Sequence, residues 1–489
     1  LSVAIRTLRS PSGWLLPGLL ALLLGLYRID TPELWRDEIS SWSAAARPLP
    51  ELFAMLGNVD ASSGTYYVLL HLWSALFGDS TLSLRLPSAL AMGGAAGLTA
   101  LATRRWYGSA PAGLAAGLLF AVCPSVSAYA QEVRAYALVT CAAAGATLCL
   151  LRALDRPAFG RWAWYGGCTV AAGALHLVSL TGLIGHAVVV ALVAWPARQP
   201  WRLVRQWALT VTVTVLPLVP LALLGRRQSD RQLGWIPAPT LDALRTFGPS
   251  LVGGWHVWHA FEVLTVLALL LVHRRALGPL AMAALPALAV WAYSHGSTSY
   301  FLDRYLLFTL PAWAMLAAGC LATRRGPAAW VRVLLALALG VTVLLLGVPE
   351  QRRNRQEIAH SAVDFRGAAQ VIAAGYRPGD GIVALAGWDA WRMIGPGVAY
   401  YLPARVRPYP FLLAETAVRA DDLYPVPCPD PAACIGAVTR AWVVTIGPGN
   451  DPYANLPADQ TAALRSVFTP VEISHPRMLT VSLLRRTRP

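Results

Sequence analysis

An almost unbroken apolar run, Trp14 to Tyr27, opens the readable pattern of the chain, and comparable runs recur up to residue 348. A transmembrane helix needs about 20 consecutive apolar residues, within a range of about 17–25. On that measure eleven spans are predicted, at 11–28, 82–103, 110–126, 134–154, 162–178, 179–196, 207–225, 256–273, 277–294, 304–323 and 329–348. The apolar stretch Tyr66–Phe77 is shorter, aromatic and interrupted by His71, which suits a helix lying in the membrane interface. From about Pro349 the pattern changes. Short apolar stretches at Ile382–Ala386, Ala441–Ile446 and Met478–Leu484 have the length of buried strands. Helical patterns over Ser361–Ala374, Trp388–Tyr401 and Ala458–Val467 lie among them, punctuated by Pro378-Gly379-Asp380-Gly381. The predicted fold is an α-helical polytopic membrane bundle over residues 1–348, followed by a small α/β domain over 349–489.

Composition agrees with that class. Of 489 residues, 56% are hydrophobic and 13% charged, and the mean hydropathy is +0.51, too apolar for a soluble protein. The net charge of +15 does not point to nucleic acid, because the basic residues, all arginine, form no stripe. They sit in small groups between the apolar runs, as orienting loops do. With Arg6 and Arg9 inside, the inside loops hold Arg104-Arg105, Arg152/Arg156/Arg161, Arg198/Arg202/Arg205, Arg274-Arg275 and Arg324-Arg325. Arg226, Arg227 and Arg231 are a mild exception on the outside. The expected protein is a multi-pass protein of the bacterial inner membrane, its N-terminus cytoplasmic and its last domain exterior. The first run is read as an uncleaved span, since Ala44-Ala45-Ala46 come too late after it for a cleavage site.

This orientation gathers ionisable residues on the exterior face. The first exterior loop, 29–81, contains Trp35-Arg36-Asp37-Glu38; later segments bring Glu132, Arg134, Tyr136, His176, Asp303, Arg304 and Tyr305. Ionisable side chains at the mouth of a membrane bundle are costly and mark function. A carboxylate can deprotonate a hydroxyl, and arginines can hold a phosphate and stabilise it as it departs. Together they suit transfer of a group from a lipid phosphate to a hydroxyl. No glycine-rich phosphate loop and no Gly-x-Ser-x-Gly elbow occurs. Five cysteines, Cys123, Cys141, Cys149, Cys168 and Cys320, lie in or near spans as apolar packing. Cys428 and Cys434 bracket Pro429-Asp430-Pro431-Ala432-Ala433 in the exterior domain, where a disulfide is expected.

In combination, "LWRDEISSW", "GTYYVLLHLW" (64–73), "SLRLPSALAMG" (83–93), "YAQEVRAYAL" (129–138) and "FLDRYLLFTLPA" (301–312) resemble the C-superfamily of integral-membrane glycosyltransferases. The nearest branch holds the protein O-mannosyltransferases and the lipid A aminoarabinose transferase. The resemblance covers residues 14 to about 348. It implies an enzyme that takes a sugar from a polyprenyl-phosphate donor, without a nucleotide sugar, and inverts its anomeric carbon. It implies Asp37 as catalytic base with Glu38 beside it, Arg134 as a phosphate contact, and Arg304 with Tyr305 near the donor. Glu132, Tyr136, His71, His176 and Asp303 are further candidate substrate contacts. No cofactor is expected: the near branch works without metal, although some members of the superfamily use a divalent cation. The expected acceptor is a protein, a glycolipid or a polysaccharide, with mannose the favoured sugar and arabinose next. Relatives often carry His-Pro-Pro-Leu where this chain has Ser62-Ser63-Gly64-Thr65, so the resemblance does not carry over their acceptor.

Each candidate also has a plain structural reading. Asp37 and Glu38 can cap a helix starting near Ile39; Arg134 can pair with Glu132, and Arg304 with Asp303; Trp35 and Trp42 can belong to an aromatic belt. A lipid-linked-sugar transporter or scramblase is the rival function. It would place charge at mid-span and show inverted repeats, whereas the charges here lie at one face. A non-catalytic scaffold would leave the gathering of arginines with the carboxylate pair without a reason.

Overall fold

The computed structural model describes residues 11–196, 199–323, 328–384 and 387–487. Arg6, Arg9, Arg198, Arg324, Arg325 and Ala386 fall outside the described residues. The chain forms two compact units. The first comprises residues 1–29, 60–66 and 85–354; the second comprises 30–59, 67–84 and 355–489.

The first unit is a helical bundle. Among the described residues, seven helical segments are long and apolar enough to cross a membrane, or eight if the bent pair Ala110–Val122 and Pro124–Ala130 is one span. Others of the predicted spans are shorter helices, such as Leu15–Leu26 and Phe159–Leu175. The helix Thr81–Tyr107 contains Pro87 and runs to Arg104 and Arg105 in its last turn. Its Gly93 faces Gly18 of the first helix, where an added Cβ would lie 3.1 Å from the opposite backbone oxygen. Absence of a side chain is what lets these two helices touch. The bend of 61° falls where Pro124, which has no amide hydrogen to donate, starts the second half of the pair.

Two stretches expected as exterior loops are helical. The 226–255 segment contains the end of the helix Val219–Leu233 and the whole of Leu241–Val252. Thr240 Oγ1 accepts the Ala243 amide at 3.3 Å, and Gly253 ends the helix at φ +91°. These are ordinary start and stop signals. The 29–81 segment holds the helices Arg36–Ala45, Leu49–Asn58 and Gly64–Phe77.

The second unit is built on a five-stranded sheet of order β2-β1-β5-β7-β6. The strands are β1 Gly381–Ala384, β2 Tyr409–Pro410, β5 Arg440–Ile446, β6 Phe468–Ser474 and β7 Leu479–Arg486. A separate antiparallel pair joins β3 Leu413–Glu415 to β4 Val426–Pro427. β1 runs parallel to β2 and β5, whereas β5, β7 and β6 are antiparallel. β5 is the apolar run Ala441–Ile446 with Arg440 added, buried almost throughout as a central strand must be. Val383, Phe411, Val443, Leu464, Phe468 and Leu484 share one core. Trp442, also buried, donates from Nε1 to Asp380 at 3.0 Å, and Arg440 pairs with the same carboxylate at 2.9 Å. Cys428 and Cys434 are joined by a disulfide.

The first long segment after the opening helix packs into this unit. The helix Ile394–Tyr401 lies against Arg36–Ala45. Trp42 meets Tyr400 edge-on at 5.1 Å, and the Leu34 amide donates to Tyr401 Oη at 2.9 Å. Arg47, 3% exposed, donates to the Asp422 carbonyl.

Candidate active site

The helix Arg36–Ala45 places both candidate carboxylates in its first turn, where acidic side chains suit the helix dipole. Their environments differ. Glu38 is fully buried, and its Oε2 accepts the Trp35 amide at 3.2 Å. That is the Glu half of a capping box, satisfying a backbone donor that the helix leaves open. Asp37 keeps 21% of its side chain exposed, and its Oδ1 lies 3.4 Å from Arg36 Nε. The Arg36 guanidinium lies 4.7 Å from the centre of the Trp391 ring. Within this unit, then, Glu38 holds the backbone while Asp37 presents a carboxylate oxygen at the surface. His71 Nδ1 is 2.8 Å from the Ala45 carbonyl, which ties the following helix to the end of this one.

The other candidates belong to the first unit and converge there. Tyr136 opens the helix Tyr136–Asp155, and His176 follows the last residue of Phe159–Leu175. Asp303 begins a 3-10 turn, Asp303–Thr309, that also carries Arg304 and Tyr305. Three rings meet: His176 lies 4.7 Å from Tyr305 and 5.9 Å from Tyr136, and Tyr136 lies 6.1 Å from Tyr305. Two guanidinium groups flank them. Arg134 sits 5.9 Å from the Tyr136 ring, and Arg304 sits 5.8 Å from Tyr305 and 5.6 Å from Trp235. The charges of both arginines reach His176. Those of Asp303, Glu132 and Arg304 reach the Tyr129 phenol. His176 Nδ1 is buried and, among the described residues, has no hydrogen-bond partner. Asp303 Oδ1 accepts the Arg304 amide at 2.9 Å, which fixes the start of the turn. Among the described residues no three His, Cys, Asp or Glu side chains group in a way that would hold a metal ion.

Sequence reasoning assigned no role to four residues here. Trp235 lies in a segment read as loop, yet it faces Arg304. Tyr129 meets Tyr136 edge-on at 5.8 Å. Arg85 is fully buried and donates to the Ile29 carbonyl at 2.8 Å, holding the chain as it leaves the first helix. Its position inside an apolar run was the available signal. Glu33, four residues before Asp37, is 3% exposed.

What this first unit offers is an aromatic floor, with Tyr136 buried and His176 and Tyr305 half-buried, carrying two cations with nearby carboxylates. Guanidinium groups in such a setting recognise phosphate oxygens in pairs. The second unit offers the partly exposed Asp37 carboxylate in the first turn of Arg36–Ala45.

Known proteins resemble this chain in part of its sequence and in its fold. Residues 65–223 match the family model of dolichyl-phosphate-mannose-protein mannosyltransferases. A comparison with curated protein sequences finds no match. Among solved structures, the chain is similar to ArnT from Cupriavidus metallidurans bound to undecaprenyl phosphate, at 17% identity and a TM-score of 0.64, covering 97% of this chain and 98% of that one. It is likewise similar to the same protein in the apo state, at 18% identity and a TM-score of 0.63, covering 96% and 98%. At these identities the likeness is one of fold. The likeness to the family model is confined to residues 65–223 of the 489.

Proposed function

We propose that the chain moves a sugar, mannose first and arabinose next, from a polyprenyl-phosphate donor to a hydroxyl acceptor with inversion. The convergence of Arg134 and Arg304 on the His176–Tyr305–Tyr136 rings carries this reading. In it, the arginines hold the donor phosphate. That the fold is shared with a protein solved with undecaprenyl phosphate supports a polyprenyl phosphate as the leaving lipid. Asp37 takes the proton of the acceptor hydroxyl as its oxygen attacks the anomeric carbon. The bond from that carbon to the phosphate oxygen breaks, and the polyprenyl phosphate leaves with the electron pair, its new charge facing guanidinium groups. Glu132, Asp303, Tyr136, Tyr305 and His176 line the donor end, and His71 and Glu38 shape the helix that bears Asp37. The acceptor is a protein, glycolipid or polysaccharide hydroxyl. The topology that goes with the reading has eleven spans in a bacterial inner membrane, the N-terminus cytoplasmic and residues 349–489 exterior.

Purified protein given synthetic polyprenyl-phosphate mannose, or the arabinose analogue, and a cell-envelope acceptor fraction should release polyprenyl phosphate and label the acceptor. Movement of intact donor across vesicles, with no transfer from either sugar lipid, would instead support the transporter reading.

A further inference from the structure

The helices that bring Arg134 and His176 together also have far ends, and a second basic feature lies there. Arg105 ends the Thr81–Tyr107 helix, Cys149 and Arg152 lie near the end of Tyr136–Asp155, and Arg161 and Trp164 begin Phe159–Leu175. These five residues line an open pocket of about 550 Å³. That volume falls within the range of roughly 300–1,000 Å³ typical of small-ligand pockets. Along Tyr136–Asp155, Arg152 is sixteen residues from Tyr136, or about 24 Å at 1.5 Å per residue. The pocket is therefore separate from the aromatic cluster.

Basic residues at span ends have an ordinary explanation in membrane orientation, and that explanation covers part of this group. Arg105 pairs with Asp155. Arg161 Nη1 donates to the carbonyls of Arg152 at 3.0 Å and Arg156 at 3.1 Å, closing the end of the preceding helix. Orientation does not require the arginines to line a concavity, however. Nor does it account for the charge balance inside it. Three guanidinium groups line the pocket, and among the described residues neither Arg152 nor Arg161 forms an ion pair. Trp164, 74% exposed, stands in its wall, and Phe159 nearby is 90% exposed. Large exposed aromatics beside basic groups belong at the depth of lipid headgroups.

We propose that this pocket is a binding site for the phosphate headgroup of an anionic phospholipid. Arg152 and Arg161 would face the phosphodiester, and Trp164 would lie along the glycerol and the first acyl carbons. Basic pockets between transmembrane helices are suited to such headgroups, and a guanidinium fork matches phosphate oxygens. The site does not depend on the sugar-transfer reading.

The test uses the full chain in detergent, stripped of lipid and then exposed separately to phosphatidylglycerol and phosphatidylcholine, with bound lipid counted by native mass spectrometry. One phosphatidylglycerol should be retained in preference to phosphatidylcholine. Arg152→Gln, which leaves the Arg161 bonds to backbone in place, should weaken retention about fivefold, equivalent to the ~1 kcal/mol that a basic residue contributes near an anionic surface. Trp164→Ala should weaken it as well, and both variants should keep the wild-type melting temperature. Inorganic phosphate at millimolar concentration should not displace the lipid. Equal retention of the two lipids by the wild-type protein would overturn the proposal without reference to any variant. So would unchanged phosphatidylglycerol retention in Arg152→Gln. Displacement by inorganic phosphate would overturn the lipid as the source of the phosphate group.

Discussion

Glu33 Oε2 accepts the backbone amide of Arg366 at 3.3 Å, although the two residues are 333 apart in the chain. The Glu33 amide in turn donates to the Glu357 carbonyl at 3.1 Å. A carboxylate four residues before Asp37 thereby fastens the start of that segment to the helix Phe365–Gly375 of the sheet unit.

That fastening should depend on pH. Burial, and then the neighbouring Asp364 carboxylate, push the Glu33 carboxyl up to about 7, against the opposing pull of the Arg366 amide and guanidinium. A carboxyl raised in the folded state binds its proton more tightly there than in the unfolded chain, so stability falls as pH rises. The contribution of Glu33 is complete below about pH 4.5 and lost as pH rises through about 7. Glu33→Gln keeps an oxygen for the Arg366 amide and removes the titration. Thermal unfolding of the variant should show a flatter pH profile over this window, with a gain over wild type above pH 7. Parallel profiles for the two proteins would show that Glu33 does not carry this dependence.

The disulfide between Cys428 and Cys434 closes a short loop, with a sequence separation of 6. Closing so short a loop should stabilise the sheet unit by about 2 kcal/mol on the chain-entropy view. Cys428→Ser with Cys434→Ser should therefore lower its unfolding temperature by a few degrees, and reductant should do the same to the wild type and nothing to the double variant. Non-reducing peptide mapping should find the two cysteines in one linked peptide.

Much of the architecture was legible because it is local. Apolar runs of span length announce themselves, and β5 and β7 follow from unbroken apolar stretches. The helix Ala458–Val467 was legible in full. What was not legible is long-range or too short to have a period. β2 and β4 have two residues each and β3 has three. β6 contains Pro470 and exposes most of its residues, so it lacks the alternation of a strand. The grouping of residues 30–59 and 67–84 with the sheet unit rests on pairs such as Leu34–Tyr401 and Trp42–Tyr400, which leave no trace in local pattern. The donor-end residues were visible as ionisable groups at span ends. Trp235 was not, because its pairing with Arg304 is long-range and leaves no mark on the local pattern.

Arg134 and Arg304 should behave alike if both face the donor phosphate. Hydrogen bonds to charged groups are worth about 1.5–3 kcal/mol, so Arg134→Ala or Arg304→Ala should weaken donor binding about ten- to hundredfold. Lysine at either position should restore charge but not the paired donors, and should recover only part of the loss. Tyr305→Phe keeps the ring against His176 and should cost little. The measurement is direct binding of a polyprenyl-phosphate sugar, apart from turnover, to each variant. Donor affinity unchanged by both alanine substitutions would remove the arginines from the phosphate site and leave them as ring-packing residues.

The carboxylate pair gives the sharpest separation, because its two members do different things in the structure. Asp37 keeps part of its carboxylate accessible beside Arg36, while Glu38 is buried and accepts the Trp35 amide. A general base contributes typically 10²–10⁴ in rate. Asp37→Asn preserves shape and removes the base, so turnover should fall by about that factor with donor binding and melting temperature unchanged. Glu38→Gln keeps an oxygen for the Trp35 amide, so it should fold and retain much of its activity. Glu38→Ala removes the cap and should destabilise the protein by about 0.5–2 kcal/mol, the usual range for a lost helix cap. Its activity should fall in proportion to the helix it fails to hold. The comparison separates catalysis from capping: rate loss without stability loss at Asp37, and stability loss first at Glu38. If Asp37→Asn transfers sugar at the wild-type rate, neither carboxylate is the base, and the pair serves only to begin the helix.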